Sequence, residues 1–263
     1  MLAAQILGVG VLGPGLPDWP ATAAVLRAEC PYAAAASVLP PPAALPPAER
    51  RRAGRVVRLA LAIGAQAVAD AGISAGDLPA VFASSGGDGD NCHEICVALA
   101  SAERAISPTR FHNSVHNAAA GYWSIAHGCQ APSTALCALD ASFGAGLLEA
   151  LLQLQAGTEA VLLVAYDVDD PPPLRAHRPV ADAFGVALVL GVLGAAQKGR
   201  AGLQLTLTQA PTTRLAEPAL EALRNAIPAA RSLPLLQALS RQTQGCVVLD
   251  YLPEQRLQLQ LTP

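Results

Sequence analysis

Along most of the chain, short apolar runs alternate with longer stretches whose apolar positions recur at helical spacing. Residues 5–12, QILGVGVL, form an apolar run ended by Gly13-Pro14-Gly15, which predicts a buried strand. Residues 30–48 are rich in alanine and proline, with Pro40-Pro41-Pro42 and Pro46-Pro47, and predict an extended surface loop. A helix is expected over 47–71, where Val56, Leu59, Ala60, Ile63, Ala67 and Val68 share one face and Gly72 supplies the stop. A strand at 80–84 opens into Ser84-Ser85-Gly86-Gly87-Asp88-Gly89-Asp90. Helices over 92–101 and 113–127 follow, then a strand over 133–139, a turn at Asp140, a helix to Ala156 and a strand over 160–166. Beyond Pro171-Pro172-Pro173, residues 185–193 and 202–207 read as two further strands.

Such alternation implies an α/β fold with a mostly parallel sheet covered by helices on both faces. The run AVLLVAY is apolar at both parities, which fits burial on both sides. Past Pro211 the pattern changes to a helix pair, 218–226 and 233–241, and a hairpin-like strand pair, 246–251 and 256–261. Glutamine and arginine alternate with leucine in the last strand, so one of its faces should meet water. The chain therefore divides into a lobe over 1–210 and a short helix-and-hairpin extension over 211–263 packed on it.

With 263 residues the chain can bury a substantial core. Hydrophobic residues make up 52%, yet no uninterrupted apolar stretch of about 18 residues occurs, so no membrane span is expected. The opening MLAAQILGVGVLGPG lacks a basic leading region and reads as strand and turn, giving no secretory signal and a cytoplasmic expectation. A net charge of -3 argues against nucleic acid as a partner. Lys198 is the only lysine, so the positive charge is almost all arginine, through a preference for planar forks or through a GC-rich genome. The six cysteines are scattered, several of them in apolar runs, and read as reduced thiols.

The segment from Ser107 to Asp170 contains HNSVHNAAAGYWSIA at 112–126, an apolar strand, and the turn Ala138-Leu139-Asp140-Ala141-Ser142 before a long helix. It resembles the β-ketoacyl synthase family, whose core runs as an Asn-x-x-Ala-Gly helix, a buried strand, a nucleophile elbow and a long helix. The family's elbow reads roughly Thr-Ala-Cys-Ala-Ser-Gly, and its cysteine carries the acyl chain; here Asp140 holds that position. The resemblance spans Ile6 to about Thr208, with ILGVGVLGPG similar to the opening strand and RPVADAFGVALVLG to the segment after the family's Arg-Pro-Phe-Asp. It implies a thiolase-like lobe. The second-lobe histidines of full synthases have no counterpart, since no histidine follows His177. The short, chain-length-factor-like subgroup found with aryl polyene pathways is the one most similar. Dimerisation across the strand before the elbow is implied too, placing Ala135, Leu136, Cys137, Ala138 and Leu139 at the edge. The implied partners are an acyl carrier protein or a condensing ketosynthase subunit, in a homo- or heterodimer, and no cofactor is implied.

Condensation needs a soft, easily ionised nucleophile, and a resting carboxylate is a poor acyl acceptor. Asp140 is therefore expected to cap the helix that follows. Ser142 is the next candidate nucleophile, with His112 or His116 as its base. Cys92-x-x-x-Cys96 and His112-x-x-x-His116 have the internal spacing of paired metal ligands, but the cysteines fall on an expected helix and the family's helix needs no metal. The glycine-rich 84–90 segment lacks the lysine of a phosphate loop, which leaves Asp88 and Asp90 as solvated or capping residues. Arg50, Arg51, Arg52, Arg55 and Arg58 cluster near one helix start, as a docking face for an acidic carrier protein or as a solvated face.

Overall fold

The computed structural model describes residues 2–180, 182–194 and 199–263; Lys198 lies outside them. The chain begins with β1 (Leu2–Leu12), α1 (Trp19–Leu26), α2 (Pro47–Arg52), α3 (Arg55–Ala71), β2 (Ala80–Ala83), α4 (Gly89–Ala100) and α5 (Pro108–Asn113). It continues through α6 (Ala118–His127), β3 (Ser133–Leu136), α7 (Ser142–Gln155), β4 (Ala160–Asp167), α8 (Pro172–Arg175), β5 (Phe184–Gly191) and β6 (Ala201–Thr208). Last come α9 (Pro218–Ala226), α10 (Leu233–Arg241), β7 (Gly245–Leu252) and β8 (Gln255–Thr262). Two 3-10 turns lie between these elements, one at Leu139–Ala141 and one at Pro228–Ser232.

All eight strands form one sheet in the order β3-β2-β4-β5-β1-β6-β8-β7. Alternation along its central strands sorts side chains into two cores. Val161, Leu163 and Ala165 of β4 point to the face covered by α7, α1 and α10, while Leu162, Val164 and Tyr166 point to the face covered by α3 and α6. The terminal hairpin joins the same sheet through β8 on β6. Leu257, Leu259 and Leu261 enter the first core, and Gln258 and Gln260 alternate with them, half-buried, as the pattern predicted.

The expectation of a mostly parallel sheet is corrected. Among the described residues, only β2–β3 and β2–β4 run parallel; β1–β5, β1–β6, β4–β5, β6–β8 and β7–β8 are antiparallel. Apolar residues at both parities report two buried faces, and a sheet sandwiched by helices buries both faces whichever way its strands run. Among the described residues between β4 and β5, the only helix is the four-residue α8, too short to cross over the sheet, so the chain returns antiparallel. Three boundaries also differ. The helix expected over 47–71 breaks at Ala53, whose extended ψ of 110° separates α2 from α3. The one expected over 113–127 begins only at Ala118, with Asn113 ending the separate helix α5, and the strand expected over 133–139 ends at Leu136.

The glycines of QILGVGVL explain how α3 lies on β1. A Cβ on Gly8 would stand 2.2 Å from the Ala67 carbonyl oxygen, and one on Gly10 2.1 Å from that of Ile63. This closeness matters because β6 pairs with β1 only over Leu2–Ile6. Beyond it, Val9 N–H donates to Asp70 Oδ2 at 2.9 Å and Val11 N–H to Gln66 Oε1 at 3.0 Å. Side chains of α3 thus satisfy backbone donors that lack a strand.

Gly10→Ala should therefore destabilise the protein by about 3 kcal/mol, since backbone must move to admit a methyl group. Gly121→Ala, at an exposed position of α6 where a Cβ would meet nothing beyond its own helix within 4 Å, should instead stabilise by about 1 kcal/mol. Urea denaturation of the two variants checks both signs.

Candidate functional site

β3 stops at Leu136 because the chain turns sharply over the next five residues. Leu139 takes a left-handed φ of 48°, uncommon for a leucine. Ser142 holds the turn: its Oγ accepts from Ala138 N–H at 3.1 Å and donates to the Leu139 carbonyl at 2.6 Å. Asp140, at the crest, points outward. Of the residues expected at the dimer edge, Ala135 and Leu136 are in the strand, while Cys137, Ala138 and Leu139 belong to the elbow.

The expected cap is not made. No side chain caps α7, and the Asp140 carboxylate turns to two guanidiniums instead. Arg178 Nη2 donates to its Oδ1 at 3.1 Å and Arg231 Nη2 to its Oδ2 at 2.9 Å. Two charge-assisted bonds outcompete the neutral N–H groups of a helix end. Beside this clasp lies a cavity of about 690 Å³, lined by Leu139, Asp140, His177, Arg178, Arg231, Tyr251, Leu252 and Arg256 among others.

Ser142 is buried, and both its hydrogen bonds go to the elbow backbone, so it positions the turn and is not presented as a nucleophile. His116 Nε2 bonds the Leu136 carbonyl at 2.9 Å, and the His112 ring stands edge-on to Tyr122. Cys137 donates its thiol to the Ser85 carbonyl at 3.2 Å, three positions before the crest. Cys129 is buried, with its thiol on the Leu78 carbonyl. Cys92 and Cys96 are exposed on α4, and burial, then the neighbouring Cys96, pushes the Cys92 thiol up. Among the described residues, no three of His, Cys, Asp or Glu are grouped to hold a metal ion. Of the two roles left open for Asp88, solvated or capping, it takes the cap, accepting from Asn91 N–H at 3.0 Å at the start of α4.

The arginine cluster is mostly used internally. Arg50 donates to the Ala43 and Leu45 carbonyls and Arg58 to those of Leu39 and Pro40, which fastens the proline-rich loop and removes both from a docking face. Arg55 pairs with Asp169, and Arg52 with Glu49 at 3.3 Å. Arg51 and Arg52 border a surface hollow that also holds Arg110.

Sequence reasoning missed three residues. Arg178 and Arg231 grip Asp140 from segments 38 and 91 positions away, with no local signal for either. Asp167, ending the apolar run of β4, is the third. It accepts from Ser85 N–H at 2.8 Å and from Ala229 N–H at 2.8 Å, joining the turn after β2 to the 228–232 turn that carries Arg231. Burial outweighs these bonds and pushes its carboxyl up to about 6.

An eight-stranded mixed sheet between two helical layers, with an elbow turn feeding a buried central helix, is a ketosynthase-type lobe. The family model for the N-terminal domain of beta-ketoacyl synthases matches residues 25–252, so the chain belongs to the beta-ketoacyl synthase family. That match runs well past Thr208, to the end of β7. The ketosynthase ApeO in complex with its chain length factor ApeC, from Xenorhabdus doucetiae, shares the fold with a TM-score of 0.75 at 24% identity, covering 99% of this chain and 100% of the other. The ishigamide ketosynthase/chain length factor gives 0.75 at 14% identity, covering 99% of each chain. AntDE:AntF, a type II acyl carrier protein in complex with its hexaketide-bound ketosynthase, gives 0.77 at 12%, also over 99% of each. No curated protein matches the chain.

The Asp167 carboxyl has a checkable signature. Its folded value of about 6 lies above its ordinary value of 3.8, so the folded state binds the proton more tightly. Its contribution to stability is full below about pH 4 and is lost as pH rises through 6, a change on the order of 3 kcal/mol. Stability measured from pH 4 to 7 should fall less steeply for Asp167→Asn than for the unsubstituted protein.

Proposed function

We propose that the chain is the non-condensing, chain-length-factor-like subunit of a ketosynthase pair in an aryl polyene or related fatty acid or polyketide pathway, working in the cytoplasm. One observation carries this: the elbow that should present a thiolate presents a carboxylate held between Arg178 and Arg231. An anion so neutralised is a still poorer acyl acceptor than a free one. The ketosynthase complexes that share the fold support a paired role, since two of them hold a chain length factor. A small acyltransferase or hydrolase built on Asp140, Ser142 and His116 is not favoured, because Ser142 and His116 spend their bonds on backbone.

The sheet order supports a partner surface along β3. β3 is an outer strand. Ala80 N–H donates to the Pro132 carbonyl at 3.1 Å and Ser84 N–H to that of Leu136 at 3.2 Å, so the even-numbered residues face β2. Ala135 therefore directs its N–H and C=O to the open side, where a strand of the condensing subunit can pair. α6 and α7 pack against β3 and leave Ile125 and Leu152 exposed on either side, an apolar margin for the same partner. A carrier protein would meet Arg51 and Arg52 of α2, with Arg110 beside them.

Co-expression with a condensing subunit of such a pathway and affinity purification tests the reading: the two should co-purify. Ala135→Pro removes an edge donor at a position proline tolerates in an outer strand. It should weaken association at least tenfold and leave the melting temperature of the isolated chain nearly unchanged. Association unaffected by this change, or self-pairing in place of the condensing subunit, contradicts the proposed interface.

A further inference from the structure

The cavity beside the elbow carries more cationic donors than Asp140 uses. Arg178, Arg231 and Arg256 line it, against Asp140 and Asp250. Asp250 is already engaged, by Arg224 and by Thr212 Oγ1 at 2.9 Å. Asp140 receives one nitrogen from each of two guanidiniums, and each guanidinium has five N–H donors. The Arg178 guanidinium has an anchor besides Asp140. Arg178 Nη1 also bonds the Ser85 carbonyl at 3.4 Å, and Arg231 rises from a turn whose neighbours Ala230 and Ser232 are buried. The carboxylate is the outer member of the clasp, with its side chain 57% exposed against 30% for Arg178 and 23% for Arg231. The cations form the floor; the anion lies over them.

We propose that this cavity is an oxyanion site closed by the chain's own Asp140, and that a carboxylate or a phosphate monoester enters it by displacing that side chain from Arg231 and Arg178. Its volume of about 690 Å³ suits a small organic molecule. Leu139, Tyr251 and Leu252 give it an apolar wall, which fits an oxyanion that ends a short carbon chain. The site stands apart from the partner-subunit reading, because it requires no second subunit.

Calorimetric titration of the isolated full chain with malonate and, separately, with inorganic phosphate tests this. Asp140→Asn keeps the side-chain shape and removes the competing charge, so it should bind at least one of the two anions at least tenfold more tightly than the unsubstituted protein. Tighter malonate binding assigns a carboxylate ligand; tighter phosphate binding assigns a phosphate monoester. Adding Arg231→Gln should abolish the gain. Asp140→Ser, a second way to remove the carboxylate, should reproduce it. The proposal is overturned if neither Asp140 variant gains affinity while melting cooperatively, or if the gain survives Arg231→Gln.

Discussion

The turn between β3 and α7 is the constraint on which the rest of the structure depends. A leucine held at a φ of 48° and a buried serine bonded on both sides to the turn's own backbone fix where residue 140 points. In the β-ketoacyl synthase family that direction serves a reactive sulfur. Here the same backbone presents a carboxylate, held by the guanidiniums of Arg178 and Arg231. The geometry survives because Ser142 and the packing of α7 maintain it, and neither needs the thiol.

That carboxylate also couples distant parts of the chain. Arg178 comes from the connection between β4 and β5, and Arg231 from the turn before α10. Asp167 stands behind both, receiving N–H groups from Ser85 and Ala229 in a fully buried position. The 228–232 turn is thus tied to the turn after β2 by a buried acid and to the elbow by an ion pair. β8 continues the sheet from β6, and Leu257, Leu259 and Leu261 share the core of α7. The C-terminal stretch completes the first core.

Where local chemistry decided the outcome, the sequence was legible. The strand of QILGVGVL, the helix end at Gly72 and the half-wet last strand each follow from spacing and residue type within a few positions. Strand direction was not legible, because residues apolar at both parities report that both faces are covered and carry no information on pairing. The Asp140 cap failed for the same reason at smaller scale: the preference of aspartate for a helix start is local, and two arginines from remote segments overrode it. The arginine cluster near α2 shows the converse. Its density looked like a surface for a partner, yet carbonyls of the proline-rich loop take Arg50 and Arg58, a demand visible only once that loop is folded against α3.

Intact-mass measurement of the purified chain after incubation with acylated carrier protein tests the central claim most directly. The account predicts an unchanged protein mass and a carrier that keeps its acyl group. A chain that gains the mass of the acyl group, or that releases it from the carrier as free acid, contradicts the view that this elbow has given up covalent chemistry.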